Sequence, residues 1–314
     1  MNARLPKSLL LALLLALPMA AHAEPGANSG DSESAERPRV PRLNHVIVVV
    51  MENKSYEQTL RAPYTAGLIA SGALFTASTA THHPSQPNYL AIWSGSAQGV
   101  TDNKCPAPGS PFQAENLGHA CEAAGLTWRA YSEDLPATGS AACTNNGTRY
   151  TRKHDPWTNF GNLDHMNERS YADLATDIAA GKLPSLAFVV PNNCDNSHDN
   201  GPCNVAAADQ WLANNLPAML AAVGRRGVVM LTWDEDDNVS GNHILTVMNG
   251  PPVKAGTVSN RPITHYTVLR TICDALDLKA FGAAASEAPI SDVWRQDLDD
   301  QESRSRQRRG HGGH

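Results

Sequence analysis

The chain has 314 residues, 41% hydrophobic and 18% charged, and a single α/β domain can occupy that length. Its 31 acidic residues outnumber 25 Lys and Arg, a formal net charge of −6. That balance argues against nucleic acid as a partner, because phosphate backbones select basic faces.

In chain order, Met1 to Ala23 has the parts of a secretory signal peptide. Arg4 and Lys7 make a positive start, Leu9 to Leu17 an apolar core, and Ala21-His22-Ala23 a small-residue cleavage site. The apolar core is too short for a stable bilayer anchor, so the expected product is secreted or periplasmic. Cleavage would remove Arg4 and Lys7 and no acid, leaving 23 basic against 31 acidic residues. Residues 24–42 are rich in Pro, Ser, Gly and charge and read as a disordered leader. The folded domain is expected over 43–298, with a charged, disordered tail over 299–314.

The domain opens with His45-Val46-Ile47-Val48-Val49-Val50-Met51, an unbroken apolar run typical of a strand buried on both faces of a parallel sheet. It changes abruptly to Glu52-Asn53-Lys54-Ser55, so a carboxylate and an amide arrive where α/β sheets place their ligands. Tyr56 to Ser71 reads as a helix and Ala73 to Ser78 as a strand. Pro87 to Trp93 opens a helix, with Pro87 in its first turn and Ser85 just before it. A hydroxyl there can bind a phosphate against free N–H groups or merely cap the helix. Further helices are expected over Gln113 to Ala124, Tyr171 to Ala180, Ala206 to Val223 and Tyr266 to Leu276. Strands are expected at Leu126 to Tyr131, Leu186 to Val190, Gly227 to Trp233 and Ile244 to Met248, and Thr138 to Thr151 reads as loop. The alternation predicts a doubly wound, mostly parallel sheet with helices on both faces.

A second strand also ends in acids, at Trp233-Asp234-Glu235-Asp236-Asp237. Adjacent carboxylates repel unless they meet water or a cation. Oxygen ligands from two strands, Glu52-Asn53 and Asp234-Glu235, favour one shared divalent cation, Ca²⁺, Mg²⁺ or Mn²⁺, over structural zinc. Among twelve histidines, His154, His198 and His243 lie in polar loops or beside the acids, where imidazole can act on a phosphate or a proton. Six cysteines follow the leader; an even count in an exported chain suggests disulfides, with Cys194 and Cys203 the first pair expected.

The ordered series Glu52-Asn53-Lys54-Ser55-Tyr56, His83-Pro84-Ser85-Gln86-Pro87-Asn88-Tyr89-Leu90, Lys153-His154-Asp155-Pro156, Asn196-Ser197-His198-Asp199 and Trp233-Asp234-Glu235 resembles the motifs of a secreted phosphoesterase family. That family contains acid phosphatases and phospholipases C and belongs to the alkaline-phosphatase-like superfamily. The likeness runs from Leu43 to Leu278 and is stronger to the short, phosphatase-like branch, which includes acid phosphatases active on phosphoinositides. The resemblance implies Ser85 as nucleophile, Glu52, Asn53, Ser85, Asp234 and Glu235 around the metal, His154 and His198 at the phosphoryl oxygens or leaving group, and Asn88 and His243 in substrate binding. Related acid phosphatases often carry Asp-Asp where this chain has Asp234-Glu235. The expected substrate is a phosphorylated small molecule or lipid headgroup cleaved as a monoester through a phosphoserine. Lipid phosphodiester cleavage of the phospholipase C type, and a non-catalytic exported binding protein, are the alternatives.

Overall fold

The computed structural model describes residues 39–199 and 201–295. The expected signal peptide, nearly all of the expected leader and the expected tail lie outside the described residues.

In chain order the elements are β1 (His45–Met51), α1 (Tyr56–Thr59), α2 (Pro63–Ser71), β2 (Ala73–Phe75), β3 (Ser78–Thr79), α3 (Ser85–Ser94), α4 (Leu117–Ala123) and β4 (Trp128–Ser132). Then follow β5 (Glu168–Ser170), α5 (Ala172–Ala179), β6 (Leu186–Val190), α6 (Val205–Ala222), β7 (Gly227–Trp233), β8 (Thr246–Asn249), β9 (Thr257–Ser259), β10 (Ile263–Thr264) and α7 (His265–Ala275). Eight strands form one sheet in the order β5-β4-β6-β1-β7-β8-β2-β9, in which β8 alone runs against its neighbours. A small parallel pair, β3 with β10, lies beside it.

β1 is the central strand. Val46, Val48 and Val50 join a core on one face with Tyr89, Trp93, Leu117 and Leu269. Ile47, Val49 and Met51 join a second core with Leu68, Trp211, Leu212 and Met219. Successive side chains of a strand point to opposite faces, so the unbroken apolar run serves two cores. α3, α4 and α7 therefore cover one face and α2 and α6 the other, as expected of a doubly wound sheet. Val40 packs against the first core and Pro41 is buried.

The expected helix over Tyr56 to Ser71 is two helices, because Pro63 has no N–H to donate inside a helix and instead starts α2. The strand expected to reach Ser78 is also divided, into β2 and β3. α3 begins at Ser85 rather than after it, and all ten of its residues are buried. Two disulfides are present, Cys194–Cys203 as expected and Cys105–Cys143. Cys121 and Cys273 remain buried thiols. Among the described residues, no helix is long and apolar enough to cross a membrane.

Candidate active site

β1 and β7 are parallel neighbours in register from His45 opposite Gly227 to Met51 opposite Trp233. The next rung therefore places Glu52 beside Asp234, about 4.8 Å apart by strand spacing. Asp234 N–H donates to the Met51 carbonyl (2.9 Å), and Asn53 N–H donates to Asp234 Oδ1 (3.1 Å). Asn53 adopts φ 43°, a left-handed conformation that Asn tolerates better than most residues.

Ser85 opens α3 against this pair. Its hydroxyl lies 3.0 Å from Glu235 Oε1, 3.2 Å from Glu52 Oε2 and 3.4 Å from Asn53 Oδ1. The helix makes no side-chain cap bond at its start. The capping role considered for Ser85 is thus absent, and its hydroxyl faces the acids instead. A hydroxyl has one proton for three oxygen acceptors, so it cannot donate to all three.

Glu52 divides the site. Its Oε2 faces Ser85, while Oε1 lies 2.9 Å from His154 Nε2. That approach lacks hydrogen-bond geometry, and both atoms, like Asp234 Oδ2, are buried without a hydrogen-bond partner. His154 comes from a 3-10 turn (Arg152–His154) and stacks on Tyr89 of α3 with ring centroids 4.9 Å apart. His198 lies on the loop after β6, with its ring 5.7 Å from that of His154. One ligand atom each from Glu52, His154 and His198 lie within 4.8 Å of one another. Ser197 Oγ donates to the Glu52 carbonyl, and the Cys194–Cys203 disulfide ties the His198 loop.

The electrostatics follow from burial. Glu52, Asp234 and Glu235 are respectively 0%, 1% and 2% exposed. Burial, then repulsion from Glu52 and Glu235, pushes the Asp234 carboxyl well above its usual range. Glu235 is raised too, by burial first, although Ser85 and His83 oppose the shift. Burial would raise Glu52 as well, but His154 and then Lys153 and His198 pull it down to about 2. Burial pushes His154 down to about 4 despite Glu52, so its imidazole is neutral in mildly acidic solution.

Two expected substrate contacts are engaged elsewhere. Asn88 Oδ1 accepts from the N–H groups of Thr81 and His82, and its Nδ2 donates to the His82 carbonyl. Its amide is spent on the loop before α3, which it shapes. His243 places Nε2 3.0 Å from the Thr76 carbonyl and stacks on Tyr56 at 4.4 Å. Its Nε2 is therefore directed at the protein's own chain.

Residues given no role in the sequence also converge here. His83 Nδ1 lies 2.5 Å from Glu235 Oε2, and its Nε2 3.2 Å from Asp236 Oδ1. Lys153 Nζ lies 3.0 Å from His198 Nε2. Buried His265, at the start of α7, places Nε2 2.7 Å from the Asp234 carbonyl. The usable signal for His83 and Lys153 was adjacency to Ser85 and His154 within the same motifs.

The donor set fits a hard cation: three buried carboxylates, an amide oxygen and a hydroxyl, with acceptors crowded around one proton and an orphaned Asp234 oxygen.

Residues 58–279 match the model of the phosphoesterase family. A phosphatidylinositol-3-phosphatase from Mycobacterium tuberculosis is 38% identical over 259 residues, covering 81% of this chain and 84% of that protein. A probable acid phosphatase from Kluyveromyces lactis is 26% identical over 262 residues, covering 78% of this chain. An acid phosphatase from Aspergillus fumigatus is 26% identical over 270 residues, covering 80%. The chain spans 61% and 59% of the length of these two fungal relatives. Human ectonucleotide pyrophosphatase/phosphodiesterase 5 superposes with a TM-score of 0.58 at 11% identity, covering 80% of this chain and 100% of that one. An alkaline phosphatase superfamily protein from Vibrio parahaemolyticus gives 0.55 at 11% identity, covering 80% and 72%. At such identities the likeness shows the fold alone.

Proposed function

The chain belongs to the phosphoesterase family, and from that premise we propose that it is an exported, cation-dependent phosphomonoesterase whose nucleophile is Ser85. The observation that carries this reading is the crowding of Glu52, Asn53 and Glu235 oxygens around one buried hydroxyl. Isolated, that arrangement is repulsive; around a cation it is a ligand shell. Glu52, Asn53, Ser85, Asp234 and Glu235 would hold the ion, with Ca²⁺, Mg²⁺ and Mn²⁺ as candidates. Such an ion lowers the pKa of a bound hydroxyl and neutralises charge on phosphoryl oxygens.

The chain's own groups account for the remaining steps. Glu235 Oε1 is the nearest acceptor for the Ser85 proton, at 3.0 Å, and His83 fixes the other oxygen of that carboxylate. Ser85 Oγ forms the new bond to phosphorus as the bond to the leaving oxygen breaks, and that oxygen takes up a proton. The N-terminal end of the α3 dipole faces the developing charge, although Gln86 N–H is already given to Asn103 Oδ1 and Pro87 has no N–H. His154 is stacked and buried, so it offers a fixed neutral imidazole beside Glu52. Water then attacks the phosphoserine, releasing phosphate and restoring the Ser85 hydroxyl. The Mycobacterium relative, named for a phosphatidylinositol 3-phosphate activity, supports phosphoinositide headgroups as one substrate class. Two disulfides among the described residues support an oxidising, exported location.

The test is hydrolysis of p-nitrophenyl phosphate against its bis-ester, with and without EDTA, followed by mass spectrometry of acid-quenched enzyme. Monoester cleavage lost in EDTA, and a phosphate adduct on Ser85 absent from Ser85→Ala, are expected. Full turnover by Ser85→Ala would overturn the assignment.

A further inference from the structure

Glu52, His154 and His198 have the composition of a second metal triad. We propose that this half of the site instead holds the substrate's phosphoryl group through a built-in cation, the Lys153 ammonium. This rests on the phosphomonoesterase reading and names a binding residue for it.

The proton positions decide between the alternatives. An ammonium donates and never accepts, so at 3.0 Å it is Lys153 Nζ that donates to His198 Nε2. The lone pair a metal would need is thereby engaged. The His198 proton then sits on Nδ1, which faces Asp199 Oδ1 at 3.1 Å. Asp199 is fixed in turn by an ion pair to Arg149 and by its N–H bond to the Asn193 carbonyl. A divalent ion among these three side chains would lie beside a fixed positive charge that repels it.

The ammonium is also placed to act. Lys153 precedes His154 in one 3-10 turn, whose Arg152 is anchored on the Ala141 and Thr158 carbonyls. The site thus has two halves that meet at Glu52: acids around Ser85 on the Oε2 side, and His154, His198 and Lys153 on the Oε1 side. A phosphoryl group attacked by Ser85 lies between a cation shell and this basic half. One N–H of Lys153 is used on His198, leaving donors for phosphoryl oxygen. His198 becomes the residue that positions Lys153.

The experiment compares wild type, Lys153→Gln and Lys153→Arg. Inhibition of p-nitrophenyl phosphate hydrolysis by inorganic phosphate is measured, together with bound divalent ions per chain. One ion per wild-type chain is expected. Lys153→Gln should need at least about tenfold more phosphate for half-inhibition and lose about 100-fold in kcat/KM. Its melting temperature and metal content should stay unchanged, and Lys153→Arg should restore phosphate affinity to within about threefold of wild type. Wild-type phosphate affinity in folded Lys153→Gln, two ions per wild-type chain, or Lys153→Arg no better than Lys153→Gln would each overturn the inference. A wild-type chain that neither cleaves the ester nor responds to phosphate would instead overturn the function it rests on.

Discussion

Chelation should weaken the fold as well as stop turnover. Ser85 Oγ lies 3.0 Å from Glu235 and 3.2 Å from Glu52, so those carboxylate oxygens are at most about 6 Å apart. At an effective dielectric near 20, one such pair repels by about 3 kcal/mol. Asp234, on the rung beside Glu52, adds a similar contribution. Partial protonation relieves some of this, so loss of the ion should destabilise the chain by about 3 kcal/mol. For a domain of this size that corresponds to roughly 6–12 °C in Tm. Asp234→Asn supplies the control, since it keeps an acceptor for Asn53 N–H but removes a charge. In EDTA it should melt at or above wild type, and Mg²⁺, Ca²⁺ or Mn²⁺ should stabilise it far less. The assay is thermal unfolding of both proteins in EDTA and after readdition of each ion. A wild type indifferent to EDTA, with Asp234→Asn strongly destabilised in the chelator, would refute the reasoning and make the acids a structural network.

Four other outcomes are expected. Glu133 is pushed up to about 7 by burial and by Asp195. The folded state then holds its proton more tightly than the unfolded state, so stability falls as pH rises from about 4.5 to 7; Glu133→Gln should remove about 1–2 kcal/mol of that slope in urea titrations, allowing for the side chain's partial exposure. Cys203→Ala opens a loop of sequence separation 9, which costs about 2.6 kcal/mol by the chain-entropy relation, and should lower kcat through His198, read by calorimetry and steady-state kinetics. Asn88→Ala leaves the N–H groups of Thr81 and His82 without their acceptor; a loss of about 3 kcal/mol in denaturant melts is expected, with kcat reduced through His83. His243→Ala should cost about 1 kcal/mol from its stack on Tyr56 while kcat stays within about twofold, and a collapse of kcat would return His243 to the site.

The long central strands were legible because burial on both faces writes itself as an unbroken apolar run. β6 and β7 lie where Leu186 to Val190 and Gly227 to Trp233 predicted them. The short strands left no such trace: β5 is Glu-Arg-Ser, with Glu168 buried against Thr158 and His165. A strand of two or three residues is defined by its neighbours and has too few positions for a pattern. The site was legible to the same degree. Acids at two strand ends and a serine at a helix start can be read from a chain. Which way an amide or imidazole points cannot, since Asn88 in the first turn of α3 and His243 in a polar loop look like ligand residues until their backbone partners are known. His83 and Lys153 were hidden for the converse reason, since their partners Glu235 and His198 are distant in sequence.

The register that builds the site also tolerates its cost. Burying three acidic groups together opposes folding, so something must hold Glu52 and Asp234 side by side. The seven in-register pairs of β1 and β7 do so. A slip of one residue would set Trp233 or Glu235 beside Glu52. It would also turn Val229 and Leu231 from one core into the other and Val228 and Met230 the opposite way. At about 1–3 kcal/mol for each side chain forced into a core it does not fit, the four together outweigh the repulsion of roughly 3 kcal/mol for an acid pair. The same alternation that makes β1 the middle of two cores therefore fixes Glu52 next to Asp234. The α3 N-terminus, packed on the first core through Tyr89 and Trp93, then brings Ser85 to Glu52 and to Glu235, the residue after Asp234.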